Sequence, residues 1–192
     1  MALSPSETPA SEAELIDQAQ TGDRRAFSEL VRAHRPGVVN VVYRLCGDAS
    51  LAEDSAQETF IRAWEHLNSF HPSADPGNMG FRNWLYRIAT RSALTELRRQ
   101  RPTVAVDDLA LADQERGPEQ RVEQAQRAEA VRQAVLALPE ASRQALVLRE
   151  YEGLSYRDIA AVLDIPVGTV MSRLNYARQQ LRERLAPFLE AE

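Results

Sequence analysis

The sequence of 192 residues contains no lysine, one cysteine and no long apolar run. Because a membrane-spanning helix needs roughly 18 or more consecutive apolar residues, no membrane insertion is predicted. Residues 1–13 include no basic residue and no apolar core, which argues against a secretory signal. We therefore expect a cytoplasmic protein.

Cysteine and histidine are too few and too scattered for redox or metal chemistry. The single Cys46 cannot form an intrachain disulfide, which agrees with a reducing compartment. It lies in an apolar helical pattern, where a small core residue is more common than a reactive thiol. His34, His66 and His71 share no metal-ligand spacing. No nucleophile–base pattern or glycine-rich phosphate loop occurs either, so the sequence predicts no cofactor, no metal site and no enzyme.

Acidic residues outnumber basic ones, and the net charge is −5. This total opposes nucleic-acid binding, but most of the excess lies in residues 102–130, which carry a net charge of −4. Residues 1–101 carry −1 and residues 131–192 carry 0. Because the local field matters more than the total, either flanking segment can present a basic face. All 23 basic residues are arginine, which suits phosphate and guanine, although a GC-rich genome explains the same bias.

Apolar residues recur at helical spacing through most of the chain. The valine run at 38–42 also fits a strand, but no partner strand is predicted elsewhere, which favours a helix. Pro36-Gly37 should bend or interrupt that helix. We predict an all-α protein with two small helical domains joined by a flexible linker. Its parts are a disordered tail (1–11), an N-terminal helical domain (12–101), an acidic linker (102–129) and a C-terminal helix-turn-helix domain (130–192).

The sharpest local pattern is a helix-turn-helix at 155–184. Ser155 and Asp158 form a capping box, and Asp164 stands in the turn, where Asp tolerates left-handed backbone. The apolar face of the second helix carries Val170, Leu174, Ala177 and Leu181. Its opposite face carries Thr169, Ser172, Arg173, Asn175, Tyr176 and Arg178. The net charge of +3 over 165–186 fits an anionic partner in a major groove, although a helical hairpin with a solvated polar face has the same spacing.

Two further helices combine charge with aromatic residues. In residues 81–101, six arginines face a single acid, Glu96, and aromatic side chains interleave them. Basic charge with flat rings suits unpaired bases, but a solvated basic face explains the arginines as well. Trp84 also fits core packing, whereas Tyr86 is predicted to be exposed. The helix at 53–67 has one charged and one apolar stripe, and its spacing favours a solvated charged face over a partner-binding one.

Together these segments resemble the extracytoplasmic-function sigma factors, from about Ala13 to Leu185. AEDSAQETFIRAW (52–64) is similar to the polymerase-docking helix of that family, and FRNWLYRIATRSALTELRRQR (81–101) to its promoter-melting segment. LPEASRQALVLREYEGLSYRDIAAVLDIPVGTVMSRLNYARQQLRERL (138–185) is similar to its C-terminal DNA-reading domain. The resemblance implies a bacterial transcription factor, often of stress responses, that directs core RNA polymerase to promoters and has no catalytic residue of its own.

The resemblance also implies three sets of contacts. Binding to the clamp of the polymerase large subunit would use Asp54, Gln57, Glu58 and Arg62. The minus-ten element would be engaged by Phe81, Arg82, Trp84, Tyr86, Arg87, Arg91, Arg98 and Arg99, with a base captured by the loop 68–80. The minus-thirty-five element would be read by Thr169, Met171, Ser172, Arg173, Asn175, Tyr176 and Arg178. The acidic linker would thread toward the active-site channel, and an anti-sigma factor would clamp both domains.

Four positions depart from the family pattern. The family usually has Asn at the position of Arg91 and Asp at the position of Thr95. It usually has Gly at the position of Asp164, and Lys or Arg at the position of Met171. The departure at Met171 removes an expected phosphate contact. These differences bear on which bases are read and on how strongly the protein melts DNA.

Two other functions fit parts of the sequence. A helix-turn-helix regulator acting on duplex DNA without polymerase docking explains 138–185 but leaves 48–101 unexplained. A pure protein-interaction module would show no salt-sensitive DNA binding. For the chain as a whole, the charge layout predicts that the free protein binds promoter DNA weakly, because the acidic linker and acidic patches oppose it.

Overall fold

The computed structural model describes residues 10–71, 80–99 and 118–189, with the backbone alone at Leu94, 96–99, 118–124 and 189. These ranges contain α-helices, one 3₁₀ turn and no strand, which confirms the predicted all-α class. The helices are α1 (Glu12–Gln20), α2 (Arg24–Cys46), α3 (Ala49–His66), α4 (Phe81–Arg99), α5 (Pro118–Leu136), α6 (Glu140–Glu150), α7 (Tyr156–Leu163) and α8 (Val167–Leu189). The 3₁₀ turn at Leu67–Ser69 extends α3.

Side-chain caps begin several of the helices. Ser11 and Glu14 form a capping box at the start of α1, in which the Ser11 N–H donates to Glu14 Oε2 at 2.7 Å. This hydrogen bond lowers the pKa of Glu14. Asp48 accepts from the Leu51 N–H at 2.9 Å and starts α3. Each cap satisfies a backbone donor that has no partner inside its helix, and so sets where the helix begins.

Helix α2 runs through Pro36 as one α-helix, so interruption, one of the two effects expected at Pro36-Gly37, does not occur. Proline removes one intrahelical hydrogen bond and crowds the preceding turn. Packing on both sides of it outweighs that cost, because Leu30 before it and Val38 after it are fully buried. The valine run that also fitted a strand is therefore helical, as we expected.

The chain forms two helical groups that also pack against each other. In the first group, α1, α3 and α4 pack around the buried side of α2. In the second group, α5–α8 enclose another set of apolar side chains that includes Leu146, Leu148 and Leu174. Helix α2 contacts α5 and α6, and α4 contacts α7. A continuous cluster of buried apolar side chains consequently extends through both groups. Of the acidic linker predicted over 102–129, residues up to 117 lie outside the described part of the chain. Residues 118–129 form the start of α5.

Gly47 is the C-terminal cap of α2, at a point where the two groups meet. Its φ of 77° is left-handed, and its N–H donates to the Tyr43 carbonyl at 2.7 Å. A Cβ at this position would lie 2.6 Å from Leu136 Cδ1 of α5. Glycine is required here both for the backbone conformation and for the close approach of α5.

We expect Gly47→Ala to lower the free energy of unfolding by about 2–4 kcal/mol, because left-handed strain adds to the clash with Leu136. Gly153→Ala is the matched control, since Gly153 has a φ of 68° and a methyl group added there would meet nothing within 4 Å. It should cost only the backbone strain of about 1–2 kcal/mol. Urea denaturation of both variants measures the difference, and equal losses would contradict a tight contact at Gly47.

Candidate nucleic-acid interface

The helix-turn-helix is built from α7, the turn at 164–166 and α8. Ser155 and Asp158 form the predicted capping box of α7. Asp164 has φ 58° and ψ 50°, which confirms the predicted left-handed turn residue. The turn is held by the Ile165 N–H, which donates to the Ala160 carbonyl at 3.0 Å. Since the apolar face of α8 is buried at Val170, Leu174 and Ala177, its opposite face is directed to solvent.

Most of the polar side chains predicted to read DNA lie on that solvent face of α8. The exposed members of the set are Met171, Ser172, Asn175, Tyr176 and Arg178, and the half-buried ones are Thr169 and Arg173. Arg178 is held by Glu150 of α6 at 2.9 Å. Hydrogen bonds to Glu150 and then to Tyr156 raise the pKa of Arg178. The structure thus brings the predicted set together on one face.

The aromatic residues of α4 are directed inward. Phe81 is buried, and it packs with Trp84 and with Phe70, which follows the 3₁₀ turn. Ring centroids in this cluster are 5.1–5.6 Å apart. Helical periodicity indicated the apolar position of Trp84 but not that of Phe70, because a single aromatic residue in a segment rich in Pro, Gly and Asn gives no periodic signal. Residues 72–79 of the following loop, where a captured base was expected, lie outside the described residues.

Tyr86 is 2% exposed, so the prediction of an exposed Tyr86 is wrong. Its hydroxyl donates a short hydrogen bond to Glu152, in the segment between α6 and α7. Burial, followed by that carboxylate, raises the pKa of Tyr86. The ring passes over Gly37 of α2, where a Cβ would lie 2.7 Å from the hydroxyl oxygen. Neighbouring helices bury the Tyr86 side chain. Helical periodicity along α4 cannot predict this burial, because it depends on residues that are distant in the sequence.

The arginines of α4 also meet the second helical group. Arg87 and Arg91 each place a guanidinium nitrogen 3.4 Å from Asp164 Oδ2. Arg82 is exposed, with its guanidinium carbon 5.9 Å from the centre of the Tyr86 ring. The side chains of Arg98 and Arg99 lie outside the described part of the chain. The basic face of α4 is therefore partly neutralised by the turn of the helix-turn-helix.

Helix α3 has the predicted charged and apolar stripes. Ala56, Phe60 and Ala63 lie in the core. The predicted polymerase-binding residues lie on the other side: Asp54, Gln57 and Arg62 are exposed, and Glu58 is half-buried. Glu58 Oε1 accepts from Arg62 Nε at 2.6 Å.

Ile61 is 55% exposed in the middle of this charged stripe. It was not among the residues predicted from the sequence, although it stands four residues after Gln57 and therefore on the same helical face. An exposed large apolar side chain among charged ones is a common feature of protein-binding surfaces.

Cys46 has the properties of a structural thiol. Its Sγ lies 3.3 Å from the Asp48 carbonyl oxygen, and burial raises its pKa to about 11. Within the described residues, no group of three or more Cys, His, Asp or Glu could hold a metal ion. The helices in that part of the chain also include none with the length and apolar character needed to cross a bilayer.

Comparison with known proteins places both helical groups in one family. Residues 30–103 match the family model for sigma-70 region 2, and residues 128–181 match that for sigma-70 region 4. The RNA polymerase sigma-H factor of Pseudomonas aeruginosa is 40% identical, over 95% of this chain and 97% of that protein. The ECF RNA polymerase sigma factor SigW of Bacillus subtilis is 34% identical, over 88% and 94%.

A solved structure agrees with the sequence comparisons. The structure of CnrH in complex with the cytosolic domain of CnrY matches 93% of this chain and 96% of that chain, with 29% identity and a TM-score of 0.64. The chain belongs to the sigma-70 family of RNA polymerase sigma factors. Within that family it is an extracytoplasmic-function sigma factor, which confirms the resemblance drawn from its sequence.

The aromatic cluster at the start of α4 should be a major source of stability. We expect Phe70→Ala to lower the free energy of unfolding by about 3–4 kcal/mol, because it leaves a cavity beside Phe81 and Trp84. Phe188→Ala is the matched control, since Phe188 is 51% exposed and its removal should change stability by less than about 0.5 kcal/mol. Thermal unfolding followed by tryptophan fluorescence measures both, and a small effect at Phe70 would contradict its place in the core.

Proposed function

We propose that this protein binds core RNA polymerase and directs it to a specific set of promoters, where the polymerase alone carries out chemistry. One observation supports this most strongly. A single chain carries both sigma-70 regions, and each presents a surface suited to its role, with a mixed charged and apolar face on α3 and a polar, basic face on α8. The protein would act inside the cell, in the cytoplasm, with no cofactor and no catalytic residue.

Polymerase docking would use the exposed face of α3. Asp54 and Gln57 are exposed, Glu58 and Arg62 are fixed beside them by their ion pair, and Ile61 adds apolar area at the centre. Interfaces typically combine an apolar centre with a polar rim. This face fits that description and would bind the clamp of the polymerase large subunit.

Promoter melting would use α4 and the loop before it. The proposed minus-ten contacts are the arginines of α4 and the half-buried Trp84: Arg82, Trp84, Arg87, Arg91, Arg98 and Arg99. Phe81 and Tyr86, which the sequence also suggested, are each 2% exposed and are left out. Melting needs no catalytic group, because binding of flipped and unstacked bases offsets their unpairing cost of a few kcal/mol. Arginines on α4 would hold the phosphates of the unpaired strand.

The solvent face of α8 would read the minus-thirty-five duplex. The proposed contacts are Thr169, Met171, Ser172, Arg173, Asn175, Tyr176 and Arg178. Arginine and asparagine match the edges of guanine and adenine in the major groove, and hydroxyls position the helix on phosphates. Family membership further supports an anti-sigma factor that binds both helical groups until a stress signal releases them.

A pull-down of core RNA polymerase tests the docking surface. We expect Asp54→Ala/Gln57→Ala to weaken retention of the polymerase by about tenfold or more, since two adjacent polar contacts are removed from one face. Asp17→Ala/Gln18→Ala is the matched control, because these exposed residues of α1 offer the same side chains on another surface. An equal loss of polymerase retention in both variants would argue against α3 as the docking surface. If the wild-type protein retained no polymerase, a regulator that binds duplex DNA would be favoured.

Substitution on α8 tests duplex recognition by the holoenzyme. The DNA is a promoter fragment that the wild-type holoenzyme selects from genomic DNA. We expect Arg173→Gln to weaken binding of the holoenzyme to this fragment by about 1–3 kcal/mol and to relax specificity at one base-pair position. Arg184→Gln, near the far end of α8, removes the same charge away from the proposed contacts and should have little effect. Gel-shift titration measures both affinities. Unchanged binding by Arg173→Gln would place the base contacts elsewhere.

A further inference from the structure

Gln20, the last residue of α1, joins that helix to the end of α3. Its side-chain nitrogen Nε2 donates to the Leu67 carbonyl oxygen at 3.0 Å and to the Phe70 carbonyl oxygen at 2.7 Å. These two oxygens lie 47 and 50 residues further along the chain. One half-buried amide group therefore spans the 3₁₀ turn, from its first residue to the residue that follows it.

The two hydrogen bonds from Gln20 satisfy carbonyl groups at a helix end. The last carbonyls of a helix have no partner inside it and need one from elsewhere. The Leu67 carbonyl also accepts from the Phe70 N–H at 3.0 Å, which is the bond that forms the turn. Gln20 gives this oxygen a second donor and gives one to the Phe70 carbonyl. Contacts from α1 thus fix the direction in which the chain leaves the turn.

The Phe70 side chain extends this contact to α4. Its ring centroid lies 5.1 Å from that of Trp84 and 5.4 Å from that of Phe81. Aromatic rings at these distances pack in preferred relative orientations. Phe70 and Phe81 are buried, whereas Trp84 is half-buried and keeps part of its surface open to solvent. A shift of the Phe70 backbone would consequently move the ring against which Trp84 packs.

Helix α1 reaches the same aromatic cluster from its other end. Glu12 Oε2 lies 2.8 Å from Nε2 of His34 on α2, and the His34 ring packs edge-on against Phe81 with centroids 5.3 Å apart. Between Glu12 and Gln20, Ile16 is buried and anchors the helix in the core. Both ends of α1 therefore support the start of α4 through polar side chains.

We propose that Gln20 is a positioning residue for minus-ten recognition, which acts through the Phe70 backbone to hold Trp84 and the first turn of α4 in the orientation that meets the unpaired strand. This inference rests on the proposed function of α4 and adds to it a residue from a different helix. Gln20 was not among the residues predicted from the sequence, and it precedes residues 30–103, which match sigma-70 region 2.

Three substitutions separate hydrogen-bond donation from other effects. Gln20→Glu keeps the size of the side chain but replaces the donor with a carboxylate, which repels both carbonyl oxygens. Gln18→Glu is the matched control, because Gln18 is exposed on the same helix and the change in charge is the same. Gln20→Lys restores a donor, since an ammonium group can donate to both carbonyls, and we expect it to behave like the wild type within about twofold.

Tryptophan fluorescence of the full chain tests the coupling without DNA. The chain has two tryptophans, and Trp64→Phe leaves Trp84 as the single one while keeping a ring beside Phe27. In this background we expect Gln20→Glu to shift Trp84 emission to longer wavelength and to raise its quenching by acrylamide. Gln18→Glu should change neither. Circular dichroism at the same temperature verifies that each variant is folded.

Holoenzyme assembled with core RNA polymerase tests the effect on DNA. The first probe is the selected promoter fragment with its minus-ten segment single-stranded on one strand, and the second is a duplex that carries the minus-thirty-five element alone. We expect Gln20→Glu to bind the first probe about threefold to tenfold more weakly than wild type, because two hydrogen bonds are lost. Polymerase retention and binding to the second probe should not change, whereas a general loss of stability would weaken both.

Unchanged Trp84 fluorescence in Gln20→Glu would overturn the coupling between α1 and α4. Changed fluorescence without a selective loss on the single-stranded probe would overturn the positioning role, and so would an equal loss with Gln18→Glu or with Gln20→Lys. A separate outcome concerns the proposed function. If the wild-type holoenzyme binds the single-stranded probe no better than the minus-thirty-five duplex, α4 does not hold the unpaired strand, and the role of Gln20 fails with it.

Discussion

Packing around α2 determines where every surface of this protein lies. This helix is buried along its length by α1, α3 and α4 on one side and by α5 and α6 on another. Two glycines allow that crowding: Gly37 lies against the Tyr86 hydroxyl, and Gly47 lies against Leu136. A side chain at either position would force the Tyr86 or Leu136 side chain to move. The charged face of α3 and the polar face of α8 remain exposed because the apolar faces of both helices are used in this common core.

Ion pairs inside the chain explain how an acidic protein can carry arginine-rich surfaces. The net charge is −5, yet arginines of the proposed interfaces already have carboxylate partners. Asp164 meets two arginines of α4, and Glu150 meets Arg178 of α8. These partners keep arginine-rich surfaces compatible with a compact fold, since like charges would otherwise repel.

Arg91 and Asp164 lie far apart in the sequence, one on α4 and one in the turn before α8. In the fold they form an ion pair across the two groups. Asp is tolerated at this left-handed position, with φ 58°, so the chain gains a carboxylate there at modest backbone cost. Met171 is an exposed apolar residue on the solvent face of α8.

The sequence by itself determined the all-α class, the capping box at Ser155, the left-handed turn at Asp164 and the family, because caps, turns and helical periods are local signals. Only the tertiary structure decided that α2 continues through Pro36, that Phe70 joins the core and that Tyr86 is buried. Each of these depends on side chains distant in sequence that supply the packing or the cover. Periodicity along one helix identifies its apolar face. It cannot predict whether a neighbouring helix buries residues on its polar face.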